Sequence, residues 1–261
     1  MFSRFIKDLK QFGGYTKYAA KSQLKSEVAN SYLNWLWWVL DPICFMLIYT
    51  FIFGVVFNGK ELYFPAFIFV GISMWDFFNR CVKASVKMVR GNKAVVSKVY
   101  LPKFILVLID MMVNGFKMLI SFAIVIGMMI FYRVPLHLTI LWFFPILFVF
   151  ILFTFGCCMF LLHYGVYVED LSNVVNIVLR IVFYMTGIFY DVEKRLPKPY
   201  GKYLSRCNPL AYMIGSARNA VLYGRAPSVK LLLVLLLVAL LLIYLGLRLV
   251  YKNENNYVKV I

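Results

Sequence analysis

Residues Met88–Phe104 read MVRGNKAVVSKVYLPKF, a short basic segment between two long apolar runs. It is polar enough to lie in the cytosol, and its lysines and arginines hold it on the inner side of a membrane. Its length suits a single helix with a tight return. A peg of this kind needs something to dock into, yet no G-x-x-x-x-G-K-[ST] phosphate loop occurs in the chain, and no polar stretch is long enough for a nucleotide-binding fold. A nucleotide-driven partner is therefore expected to be another polypeptide.

Composition agrees with a membrane setting. The chain is 63% hydrophobic and 15% charged, with a mean hydropathy of +0.81, against soluble averages of roughly 45–50% apolar and about 25% charged. The fold class is an all-α polytopic membrane protein. A net charge of +17 would suggest nucleic acid in a soluble chain, but here it falls largely at the ends of apolar segments, where it sets topology and meets anionic lipid. Nucleic acid is excluded as a partner on that ground. Cys44, Cys81, Cys157, Cys158 and Cys207 lack C-x-x-C spacing and mostly lie in apolar runs, so they read as small hydrophobes and not as a disulfide framework or metal site.

On the N-terminal side of the basic segment, a span is expected over about Phe64 to Val86. Arg80, Lys83, Lys87 and Arg90 follow at helical spacing at its inner end, a basic face that serves either topology or docking. Another span runs from about Leu33 to Phe57, opened by Trp35, Trp37 and Trp38, whose indoles anchor at the interface. Before it, Phe2, Phe5, Ile6, Leu9 and Phe12 recur at i, i+3, i+4, i+7 and i+10, with Arg4, Lys7 and Lys10 elsewhere around the wheel. That pattern predicts a basic amphipathic helix on the inner leaflet over residues 1–30, not a signal peptide.

On the C-terminal side, spans are expected over about Phe104 to Phe131, Leu138 to Tyr164 with a kink at Pro145, Leu171 to Tyr190, and Val229 to Tyr251. Twenty or more residues at 1.5 Å each cover a hydrocarbon core of roughly 30 Å. Asp191 to Lys230 is basic although alternation places it outside, against the positive-inside trend. It is read as two short helices dipping back into the outer leaflet, or else as a surface loop. The membrane domain occupies residues 31–252, with the outer segment at about 191–228 and a cytosolic tail at 253–261.

Two stripes carry polar groups into the membrane. Asn34, Trp38, Asp41, Phe45 and Tyr49 fall at i, i+4, i+7, i+11 and i+15, mixing rings with hydrogen-bonding groups. Aromatic rings stack on the C–H faces of sugars, and Asn or Arg bonds hydroxyl or phosphate, although such a stripe also suits plain helix packing. Asn173, Asn176, Arg180, Tyr184 and Gly187 form the second stripe. Arg180 should face protein or a watery path, as a structural ion pair or, preferably, as part of a substrate route. Asp110, Asn114 and Lys117 share one face of another span, where Lys117 is expected to offset Asp110.

SYLNWLWWVLDP at Ser31–Pro42, WDFFNRCVKAS and VSKVYLPKFIL up to Leu106, VEDLSNVVNIVLRIVFYMTGIFYD at Val168–Asp191, and NPLAYMIGSARNAVLYG at Asn208–Gly224 resemble the permease subunits of ABC-2-type polysaccharide exporters, in the teichoic acid and O-antigen branch. The resemblance implies an inner-leaflet helix, six spans, a cytosolic coupling helix and two re-entrant gate helices between the fifth and sixth spans. It also implies a permease homodimer paired with two ATP-binding cassette subunits, which hold the ATP and Mg. On that pattern Gly91–Tyr100 is the coupling helix, and Arg90, Asn92, Lys93, Lys98, Tyr100 and Pro102 contact the ATPase. Gly187, Tyr190, Asn208, Pro209, Tyr212 and Arg218 belong to the outer gate, and the two stripes line the substrate pathway.

The chain departs from the pattern at Glu169–Asp170, where the family often has Arg-Asp, and at Gly187, where a proline is common. The implied function is ATP-driven export of a lipid-linked glycan, with no cofactor and no catalytic residue in this chain. One alternative is an exporter of a drug or simple lipid. Another is a membrane-bound glycosyltransferase or polymerase, but no D-x-D occurs and Glu169–Asp170 is the one adjacent acidic pair.

Overall fold

The computed structural model describes residues 2–29, 32, 34–56, 61–195, 197 and 199–260. The helices in order are α1 (Phe2–Val28), α2 (Trp37–Tyr49), α3 (Phe64–Gly91), α4 (Lys93–Val96), α5 (Phe104–Phe131), α6 (Phe143–Tyr167), α7 (Leu171–Met185), α8 (Val192–Arg195), α9 (Tyr200–Cys207), α10 (Pro209–Leu222) and α11 (Val229–Val260). Short 3-10 segments lead into α2 and α6, and α2 runs on as a π-helix over Thr50–Val56. No strand occurs among the described residues.

The central element is α3. Every residue from Ala66 to Trp75 is buried, because α2, α5, α6, α7 and α10 all pack against this helix. Aromatic contacts knit the centre: Trp75 tilts against Phe183 of α7 at 5.3 Å, and Phe77 and Phe78 reach Phe150 of α6. The α11 helix lies along α6, and α1 lies along α5. The buried stripe of α1 contains Asp8, Thr16 and Ala20, with Phe5 tilted on Phe104 at 4.9 Å. Ile6 and Leu9 stay exposed, so only part of the amphipathic face is covered by protein.

Among the described residues, four helices are long and apolar enough to cross a membrane: Trp37–Gly54, Phe104–Phe131, Leu138–Tyr167 and Val229–Tyr257. The chain is a multi-pass membrane protein. Two expected spans fall outside this group for different physical reasons. The α3 helix has 28 residues, but Asp76, Arg80, Lys83, Lys87 and Arg90 make it too polar. The α7 helix is apolar but has 15 residues, about 22 Å at 1.5 Å per residue.

Several boundaries differ from the sequence reading. The α3 helix continues through Arg90 to Gly91 instead of stopping near Val86. The helix expected over Gly91–Tyr100 is the single turn Lys93–Val96. Pro145 falls in the first turn of α6, where its missing N–H leaves no intrahelical bond unmade, so it introduces no mid-helix kink. Lys117 pairs with Glu27 at 2.7 Å, while Asp110 accepts from Asn114 at 3.0 Å. The α1 end therefore supplies the counter-charge expected from Asp110.

Candidate functional site

The two stripes meet across α3. A groove of about 600 Å³ is lined by Phe45 and Tyr49 from α2, by Trp75, Asp76, Asn79, Arg80 and Lys83 from α3, and by Arg180, Phe183 and Tyr184 from α7. Tyr184 is 68% exposed and Phe45 47%, so rings are presented to the opening. A smaller cavity of about 270 Å³ adjoins it and holds Trp38 and Asp41 from the first stripe, together with Ser73, Asn114 and Lys117. Asp76 and Arg80 line both spaces. Arg80 faces Asp41 at 3.7 Å, linking α3 to α2.

Not every stripe residue joins this groove. Asn173 is exposed and Asn176 half-buried in the first half of α7, and neither is among the groove-lining residues. The side chain of Asn34 lies outside the described residues. Among the described residues no carboxylate pairs with Arg180, so the expected structural ion pair has no counterpart there.

At the other end of α7 the chain turns at Gly187, whose φ is +68°. Beyond the turn, Phe189 stacks on Phe53 at 4.1 Å and tilts against Tyr49 at 4.8 Å. Tyr190 donates to the Tyr184 carbonyl at 2.9 Å. Asn208 caps α10 by accepting from the Leu210 and Ala211 amides at 3.0 and 3.3 Å, and Pro209 occupies the first helical position, a cap followed by a residue with no amide to satisfy. Tyr212 donates to the Ser228 carbonyl at 2.8 Å, fixing α10 to the start of α11.

Arg218 joins these pieces. It is buried on α10, stacks on the Phe67 ring at 3.7 Å, and donates to carbonyls of Phe67 on α3 and of Gly187 and Ile188 at the turn. Each of its three nitrogens thus donates one hydrogen bond within the protein. Gly71 is what admits the guanidinium, since a Cβ there would lie 2.0 Å from Arg218 Nη2. Outside this knot, Lys194 bonds Glu61 at 2.5 Å and Tyr223 donates to the Leu62 carbonyl at 3.0 Å. Burial, with Glu61 nearby, pushes the Tyr223 phenol up to about 12, so it remains a donor at neutral pH.

The basic segment between α3 and α5 is held from three directions. Arg90 donates to Glu169 at 2.9 Å and to the Val166 carbonyl at 2.8 Å, which fixes the C-terminal end of α3 to the α6–α7 turn. Asn92 donates back to the Met88 carbonyl at 2.8 Å. Tyr100 accepts from Arg4 of α1 at 2.5 Å and donates to Glu254 of α11 at 3.3 Å, and Arg4 itself pairs with Glu254. Pro102 is buried, whereas Lys93 and Lys98 are exposed. The segment thus has exposed cationic side chains while Asn92 and Tyr100 tether it to α3 and to α1 and α11.

Residues 15–222 match the ABC-2 type transporter family. This chain belongs to that family. The O-antigen export system permease protein RfbA of Klebsiella pneumoniae is 24% identical to this transporter over 239 residues, covering 91% of each chain. A protein of the same description from Myxococcus xanthus is 25% identical over 244 residues, 92% of this chain and 93% of its own. The polysialic acid transport protein KpsM of Escherichia coli is 23% identical over 244 residues, 89% of this chain and 91% of its own.

Asp76 and Asn79 of this ABC-2 transporter were absent from the sequence-derived site, and Arg80 and Lys83 were assigned to topology or docking. All four line the groove. Their spacing at i, i+3, i+4 and i+7 marks one helical face, and an acidic residue with an amide within an otherwise apolar run was the available signal.

Proposed function

We propose that the chain is the membrane-embedded permease of an ATP-driven exporter that moves a lipid-linked polysaccharide, of teichoic acid or O-antigen type, across the cytoplasmic membrane. The observation that carries this reading is the groove in which Phe45, Tyr49, Trp75 and Tyr184 surround Asn79, Arg80 and Arg180. Aromatic faces suit the C–H faces of sugars and the polar groups suit hydroxyls, a mixture that a purely apolar cargo does not require. The names of the relatives from Klebsiella, Myxococcus and Escherichia point to the same cargo class.

In this reading six segments cross the membrane: α2, α3, α5, α6 with its leading 3-10 turn, α7 with the turn after it, and α11. Both termini lie in the cytosol, α1 rests on the inner leaflet, and α9 and α10 re-enter the membrane from outside as the gate. The packing of α10 between α3 and α6 supports such an inserted position. Two copies pair. Arg180 supports pairing, because it sits among the exposed residues Val174, Ile177, Val178 and Ile181 of α7, a face that a second copy would shield from lipid.

Two ATP-binding cassette subunits, holding ATP and Mg, dock on the segment around Lys93–Val96. Their closure on ATP moves the tethered ends of α1, α3 and α11, and the differential contact that drives the transition lies in those subunits. The permease itself performs no bond chemistry.

Depletion of the chain in its native cell tests the reading. Lipid-linked glycan should accumulate on the cytosolic side while polymer at the surface falls. If both pools stay unchanged in a cell without a redundant exporter, the polysaccharide reading is wrong and a drug or simple-lipid exporter takes its place.

A further inference from the structure

We propose that Arg80 and Lys83 on the α3 floor of the groove, with Arg180 of α7, form a site for an oxyanion of the transported molecule, and that this oxyanion displaces Asp41 from Arg80 and so releases α2 from α3. The inference rests on the export reading above and adds to it the chemistry of what enters the groove.

Three cations and one carboxylate, Asp76, line a groove whose other walls are mostly aromatic and aliphatic. An excess of positive charge at membrane depth is unfavourable when the groove is empty, so the arrangement demands a negative partner. Among the described residues Arg180 has no carboxylate partner. Arg80 has a poor one: its Nη2 lies 3.7 Å from Asp41 Oδ2, and the two side chains are 47% and 49% exposed. A contact this long and this open to ligand is weak. A phosphate or carboxylate that engages the guanidinium through two parallel bonds makes a stronger contact than Asp41 does.

Position adds a mechanical consequence. Asp41 is on α2 and Arg80 on α3, and the pair stands where the two cavities adjoin. The exchange of Asp41 for a bound oxyanion removes an ion pair between the helices that form two walls of the groove. Anion binding thereby loosens the wall beside it. Asp76, one helical turn before Arg80, remains in the groove lining as a carboxyl that competes with the bound anion for the three cations. The oxyanion comes either from the phosphates of a lipid carrier or from the carboxylates of acidic sugars, since both have the same charge and acceptor geometry.

The test uses the assembled transporter with its ATP-binding subunits in nanodiscs, with quenching of tryptophan fluorescence as the signal and Trp75 in the groove wall as reporter. The probes are geranylgeranyl diphosphate, a trimer of sialic acid, geranylgeraniol and maltotriose. Saturable binding of the diphosphate alone assigns the site to carrier phosphate, and binding of the sialic acid trimer alone assigns it to sugar carboxylate. Each of Arg80→Gln, Lys83→Gln and Arg180→Gln should weaken that binding by about tenfold. Asp41→Asn should tighten it, because the competing carboxylate is gone. This opposite sign keeps the test decisive even if an arginine variant fails to assemble.

Equal binding of the neutral probes, no binding of either anion, or weakened binding in Asp41→Asn would overturn the inference. Loss of anion binding as a property of the groove while depletion still empties the surface of polymer would leave the export reading standing. An unchanged surface polymer on depletion would remove that reading instead.

Discussion

Arg218 Nη1 donates to the Gly187 carbonyl at 2.9 Å, joining α10 to the turn that ends α7. The same guanidinium bonds Phe67 and Ile188 at 2.9 and 2.6 Å, so a single side chain holds three segments. Arg218→Ala would leave the buried Gly187 and Ile188 carbonyls without this donor and take a second donor from the helical Phe67 carbonyl, at a cost of about 3 kcal/mol or more. The expected result is a clear fall in the thermal unfolding midpoint in detergent. Gly71→Ala should produce a similar fall by expelling the guanidinium. The double variant should then be no worse than Arg218→Ala alone, and a fully additive loss would contradict this coupling.

Gly187 cannot be replaced by proline. Its φ of +68° lies opposite to the value that a proline ring imposes. A Cβ at this position would also come within 2.3 Å of Val192 Cγ2 and 2.8 Å of the Tyr190 carbonyl oxygen. Gly187→Ala should cost about 1–3 kcal/mol, and Gly187→Pro more. Both should reduce surface polymer in complemented cells, with proline the more severe.

Glu169 accepts from Arg90 at 2.9 Å. Its side chain is 82% exposed, so Glu169→Gln should change stability by less than about 1 kcal/mol. Glu169→Arg sets two cations against each other and should lower glycan-stimulated ATP hydrolysis by the assembled complex. The exchange Arg90→Glu with Glu169→Arg should recover part of that loss. Full recovery is not expected, because Arg90 also bonds the Val166 carbonyl.

Glu254 is buried yet serves both Arg4 and Tyr100. Glu254→Ala should therefore release the start of α1 without unfolding the bundle. Trypsin cleavage at Lys7 and Lys10 in membranes should accelerate severalfold while the unfolding midpoint moves little. Equal cleavage rates in variant and parent would mean that α1 is held by its contacts with α5 and by the Tyr251–Asp8 hydrogen bond to α11, without need of Glu254.

The long apolar helices were legible because their signal is local: α5 is Phe104–Phe131 in sequence and in structure alike. The end of α7 was hidden, since Thr186–Tyr190 carries no charge and no proline to interrupt the run. The chain turns there because Gly187 takes a left-handed conformation and Arg218 binds its carbonyl, an interaction across 31 positions. In the groove, helical period placed Phe45 with Tyr49 and Arg180 with Tyr184. It did not reveal that the two pairs face each other across α3, which depends on packing. The π-helical turn over Thr50–Val56 likewise had no sequence signature.

The polarity of α3 has a consequence for how the protein is made. Five charged side chains on one helix oppose its passage into lipid as an isolated segment, although the finished bundle buries its first half on every side. During synthesis α3 is therefore expected to linger in or beside the insertion machinery until α5 and α6, which supply much of its final packing, have emerged. A chain cut after Gly91 should slip out of the membrane and be degraded, and one cut after Tyr167 should retain α3. Biogenesis of the central helix is in this sense a collective event, completed by segments that follow it in the chain.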